Sequence, residues 1–190
     1  VYLDGRFAFG LPAIVAARLA RGQFLSDAEV AALQEEGAVE QAYNRTLHFL
    51  SYRPRSRAEI ETYLERRGVN APQIEKIAGR LERAGLLDDE AFAQYWVENR
   101  ERFRPRGLRA LRYELRNKGI RDDTIARALA SVDVSESAYR SAGKKARQLA
   151  GVDRQTFHRK LVEYLARRGF SYEVARETAE RLWTETVSES

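Results

Sequence analysis

Apolar and polar positions recur in this chain on a period of about fifty residues. Three segments carry the pattern: IETYLERRGV at 60–69, LRYELRNKGI at 111–120 and LVEYLARRGF at 161–170. In each, an apolar residue stands four before a leucine, a glycine follows that leucine by four, and another apolar residue comes next. The glycines Gly68, Gly119 and Gly169 are 51 and 50 residues apart. The spacing predicts a helix with a specified end. Glycine after the C-cap reaches the left-handed conformation without a Cβ penalty, and the apolar residue beyond it folds back on the last turn. The expected contacts are Val69 on Leu64, Ile120 on Leu115 and Phe170 on Leu165.

A new helix follows each glycine, announced by Asn70 and Pro72, by Asp122 and Asp123, and by Ser171. A further helix precedes each pair, over about 40–52, 89–103 and 136–149. The first two of these stop in the same way, at Tyr52-Arg53-Pro54-Arg55 and Phe103-Arg104-Pro105-Arg106, because proline excludes its preceding residue from helix. Ser56 and Glu59 then stand at capping-box spacing. The third copy has no proline there and reads LAGVDR at 149–154. Phe92, Trp96 and Phe103 fall on one helical face and are expected in the core. Ahead of the repeats, VYLDGRFAF at 1–9 alternates around the turn pair Asp4-Gly5, and Ser26 to Glu29 reads as another capped helix start. The expectation is an all-α chain of three tandem three-helix repeats in an elongated array, preceded by a short β-hairpin and a helical lead. Its boundaries are 1–39 for the lead and 40–87, 88–134 and 135–190 for the repeats. Each unit is too small to bury a large core alone, so stacking is expected.

Composition narrows the chemistry. The chain has 190 residues, 44% hydrophobic and 32% charged, enough to fold. It holds no cysteine, which excludes disulfides, thiol nucleophiles and Cys-ligated metal, and only two histidines, His48 and His158, far apart in sequence. No phosphate-binding glycine loop or Ser/His/Asp set appears, and the paired aspartates at 88–89 and 122–123 sit where helices begin, so capping accounts for them. No catalytic residue, metal or cofactor is expected. No stretch approaches a membrane span or a signal peptide, which predicts a cytoplasmic protein without membrane contact. With no methionine, Val1 is not expected to be the natural start. No coiled-coil heptad stands out, and a monomer is expected.

The net charge of +5 is unevenly spread. Residues 1–40 carry three basic and six acidic groups, whereas 98–121 carry nine basic and three acidic. Arg104 and Arg106 flank the proline turn, and Arg109, Arg112 and Arg116 follow at spacings of three and four along one helical stripe. Such a ridge, with few acids nearby, predicts an anionic partner.

The run ENRERFRPRGLRALRYEL at 98–115, with AGLLDDEAFA at 84–93 and YRPRSRAEI at 52–60, resembles the RecX family, over about residues 40–185. The resemblance implies three three-helix repeats, binding along the groove of the RecA–DNA filament, inhibition of strand exchange and ATP hydrolysis, and no catalysis. Its E-N-R and F-R-P-R-G motifs fall on Glu98, Asn99, Arg100, Phe103, Arg104, Pro105, Arg106 and Gly107. With the stripe residues Arg109, Arg112 and Arg116, these make the expected partner-binding set. The alternative is a protein acting directly on DNA, since helix pairs joined by a glycine turn also occur in helix-turn-helix units. Weak, salt-sensitive binding of single-stranded DNA fits both.

Overall fold

The structure, a computed structural model, describes residues 1–188. They form two strands, β1 (Tyr2–Leu3) and β2 (Arg6–Phe7), and ten helices: α1 (Ala13–Ala16), α2 (Asp27–Ser51), α3 (Arg57–Glu65), α4 (Ala71–Arg83), α5 (Asp89–Phe103), α6 (Leu108–Arg116), α7 (Asp122–Leu129), α8 (Val134–Gln148), α9 (Arg154–Arg167) and α10 (Tyr172–Ser188). The chain divides between Leu87 and Asp88 into two compact units.

In the first unit, β1 and β2 pair antiparallel with Tyr2 opposite Phe7, and Asp4 and Gly5 turn the hairpin at φ 48° and 78°. Both central residues at positive φ match the right-handed twist of the strands. The Ser26 and Ser56 capping boxes form as the spacing predicts. One difference from the sequence reading concerns the lead. α2 runs unbroken from Asp27 to Ser51, so the division expected at 39/40 falls inside a helix. Gly37 in its middle is buried, and a Cβ there would stand 2.7 Å from Leu11 Cδ2. The glycine admits the lead against the helix without ending it. Val39 and Ala42 of α2, Ile60 and Leu64 of α3, and Ile77, Ala78 and Leu81 of α4 make this unit's core.

In the second unit, α5–α7 close around Phe92, Val97, Leu111, Leu115, Ile120 and Ile125. α8–α10 close around Phe157, Leu161, Leu165, Phe170 and three alanines of α8. Each buried Leu, Ile or Phe contributes on the order of 2 kcal/mol. The stop signals behave alike in all three bundles. Gly68, Gly119 and Gly169 have φ of 75°, 75° and 86°, and Val69, Ile120 and Phe170 donate their N–H to the carbonyls of Leu64, Leu115 and Leu165 at 3.1–3.3 Å. These are Schellman closures.

Two expectations are corrected. Arg121, not an aspartate, is the N-cap of α7; Asp122 and Asp123 lie in its first turn, where they oppose the helix dipole, and Asp122 is held by Arg116. Phe103 is 66% exposed rather than in the core, because α5 ends there and the chain leaves the bundle at Pro105.

Candidate binding face on α5 and α6

α6 is short and strongly amphipathic. Leu111 and Leu115 are fully buried and Leu108 packs beside them, which leaves Arg109, Arg112, Tyr113 and Arg116 exposed on the opposite stripe. α5 delivers Arg100, Arg102 and Phe103 to the same corner, and the irregular segment carries Arg104, Pro105 and Arg106. Glu98 is exposed and Asn99 half-buried on α5, and Gly107 is buried.

The arginines are not equivalent. Glu114, half-buried on α6, takes hydrogen bonds from Arg100 Nε at 2.7 Å and Trp96 Nε1 at 2.9 Å, with Arg106 Nε at 3.8 Å. Arg100 also lies over the Trp96 ring, 4.5 Å from its centroid, with Lys118 at 5.1 Å. Arg116 Nε binds Asp122 at 2.7 Å, and this pair holds the Asp122 carboxyl below the usual carboxylate range. Glu101 pairs with Arg140 of α8 at 2.7 Å. Internal carboxylates therefore bind Arg100 and Arg116 and lie near Arg106, whose buried Nε makes no hydrogen bond, contrary to the sequence reading of a ridge with few acids near it. Among the described residues, Arg102, Arg104, Arg109 and Arg112 have no ion-pair partner, and Arg102 lies 5.2 Å from the Phe103 centroid.

The exposed face is thus narrower than the motif and partly aromatic. Tyr113, 68% exposed, stands beside Arg112 and one turn from Arg109. Sequence reasoning passed over it, although its spacing of four from Arg109 places it on the stripe. In the first unit two arginines are paired locally. Arg57 Nε binds Glu61 at 2.8 Å and the same guanidinium reaches Glu75 and Glu82 on α4, while Arg80 binds Glu40 at 2.7 Å.

Fold and surface together define a tandem helical-repeat protein with a basic, partly aromatic face on α5 and α6. Family models for the first, second and third three-helix domains of RecX match residues 42–81, 88–129 and 133–183. The chain belongs to the RecX family. It is 40% identical over 143 residues to a regulatory protein RecX of Prosthecochloris aestuarii, covering 75% of this chain and 94% of that one. It is 34% identical over 180 residues to a regulatory protein RecX of Bacillus subtilis, covering 92% and 68%. A crystal structure of a regulatory protein RecX superposes with a TM-score of 0.77 at 29% identity, covering 94% of this chain and 91% of that one. RecX from Lactobacillus salivarius superposes with 0.67 at 26%, covering 76% and 96%. No described helix is long and apolar enough to cross a membrane.

Proposed function

We propose that this protein is a cytoplasmic, non-enzymatic regulator that binds the RecA–DNA filament and limits recombinase activity, and thereby recombination and repair. The observation that carries this reading is the set of guanidiniums left unpaired at Arg104, Arg109 and Arg112 when neighbouring arginines are consumed internally. Guanidiniums with no internal ion pair, Arg109 and Arg112 on α6 and Arg104 at the corner before it, suit an anionic polymer, since each can engage carboxylate or phosphate without first breaking an internal pair. Glu98, Asn99, Arg100, Phe103, Pro105, Arg106, Gly107 and Arg116 complete the proposed partner-binding set around these three.

The test is the triple substitution Arg104→Glu, Arg109→Glu and Arg112→Glu, which leaves the Arg100–Glu114 pair intact. The helical circular dichroism is expected to stay unchanged while inhibition of RecA ATP hydrolysis and strand exchange is lost. A folded triple variant that inhibits like the parent overturns the reading.

A second reading, direct binding of single-stranded DNA by the same face, draws on the exposed Tyr113 and Phe103 rings, on which bases can stack. Affinity for bare strands would then fall with salt by a log–log slope of roughly −0.7 per phosphate neutralised.

A further inference from the structure

The glycine of the F-R-P-R-G motif does something its equivalent in the first repeat does not. Gly107 has φ −70°, ordinary for any residue, yet a Cβ there would overlap the backbone of Gly169 and the amide of Phe170. Its N–H donates to the Arg168 carbonyl at 2.9 Å. From the other side, a Cβ on Gly169 would stand 2.6 Å from both N and Cβ of Ala110. Two backbones therefore touch where the end of α9 meets the start of α6. Gly68 and Gly119 hold the same cap position as Gly169, and an added Cβ would meet nothing within 4 Å at either. The apolar cores of α5–α7 and α8–α10 do not merge. Besides the glycine contact, Glu101 of α5 joins them by accepting from Ser137 Oγ and from Arg140 at 2.7 Å.

We infer that Gly107 and Gly169 are positioning residues: their contact locks the second and third bundles into one body and fixes the corner that presents Arg104. The corner has few other restraints. Arg104 N–H bonds back to the Arg100 carbonyl at 2.8 Å, Pro105 has no N–H, and the next backbone bond is the one from Gly107 to α9. With that contact gone, residues 104–106 are held only between the end of α5 and the N-cap of α6, whose Gly107 carbonyl accepts from Ala110 and Leu111, and a partner that needs the corner in one geometry bears the entropy of ordering it. The lock itself is independent of what the face binds; its effect on affinity rests on the proposed function.

The experiment uses the cysteine-free background to place spin labels at Gln94→Cys and Glu173→Cys, both exposed, one in each bundle. The parent is expected to give one narrow distance distribution. Gly107→Ala, acceptable to the local backbone, broadens it and weakens binding to RecA filaments on the order of tenfold through lost preorganisation. Gly119→Ala is the control: it carries the positive-φ strain without the close approach, so it lowers Tm and leaves distribution and affinity unchanged. A narrow distribution in Gly107→Ala overturns the lock. A broadened distribution with parental affinity overturns the positioning role. A parent that binds no filament sinks the proposed function, and the distances still decide the lock.

Discussion

Tyr52–Ser56 and Phe103–Gly107 are the same corner written twice, 51 residues apart, and they have been put to different uses. In the first, Arg53 forms two hydrogen bonds to Glu59 at 2.8 and 3.1 Å, Arg55 lies over the Phe49 ring at 3.9 Å, and Ser56 closes a capping box. Arg53, Arg55 and Ser56 are all engaged within their own bundle, while Tyr52 stays exposed. In the second, the position of Glu59 is taken by Ala110, so Arg104 has no carboxylate, and the capping serine is replaced by Gly107. The helix stripe that follows changes in the same sense: Ala58, Glu61, Thr62 and Glu65 correspond to Arg109, Arg112, Tyr113 and Arg116, and in the third repeat to Arg159, Val162, Glu163 and Ala166. The repeat preserves buried positions because packing tolerates little change, and it leaves the exposed stripe free to diverge. At these four stripe positions only the middle copy carries three arginines and a tyrosine.

The comparison sharpens first at the core, where the two copies should respond alike. Ile60→Ala and Leu111→Ala remove equivalent side chains with no exposure, and each is expected to cost about 2–5 kcal/mol in chemical denaturation. A small effect at one of them would mean the bundles are not built alike. The corners should then part company. Ser56→Ala loses a cap and is expected to cost about 1 kcal/mol. Gly107→Ser restores the capping residue of the first repeat but forces a Cβ into the α9 backbone, so it is expected to destabilise by about 1–3 kcal/mol. A stabilised Gly107→Ser would break the account of that corner.

Smaller effects separate the surfaces. Arg57→Ala strips three carboxylates of a shared partner and is expected to lower stability by about 1 kcal/mol, as befits a half-exposed network. Arg109→Ala and Arg112→Ala, with no ion pair to lose, should stay within about 0.5 kcal/mol by thermal melt. The smallest effect is on pH dependence. Arg116 depresses the folded-state pKa of Asp122, so the pair's contribution is present above the unfolded value of about 3.9 and is lost as pH falls through the folded value. The first repeat has Glu65 and Ala71 in these places and no counterpart. Carboxyl titration by NMR should show Asp122 returning toward the usual carboxylate range in Arg116→Ala; an unmoved Asp122 would place the cause elsewhere.

What the sequence determined alone was everything local. The three Schellman closures, the two serine capping boxes, the Asp4-Gly5 hairpin and the buried positions of α3, α6 and α9 follow from spacings within a single turn or helix, where backbone geometry leaves one solution. The basic stripe of α6 was legible for the same reason. What only the tertiary structure decided depends on residues distant in sequence. Helical spacing could not say that Glu114 would gather Arg100, Arg106 and Trp96, that Asp122 would hold Arg116 instead of capping, or that Phe103 would leave the core where its helix stops. Nor could the motif say that Gly107 is kept clear for a backbone sixty residues away. Local conformational preference is fixed by a few adjacent dihedral angles, whereas charge pairing and close backbone approach exist only once separate helices have been brought together.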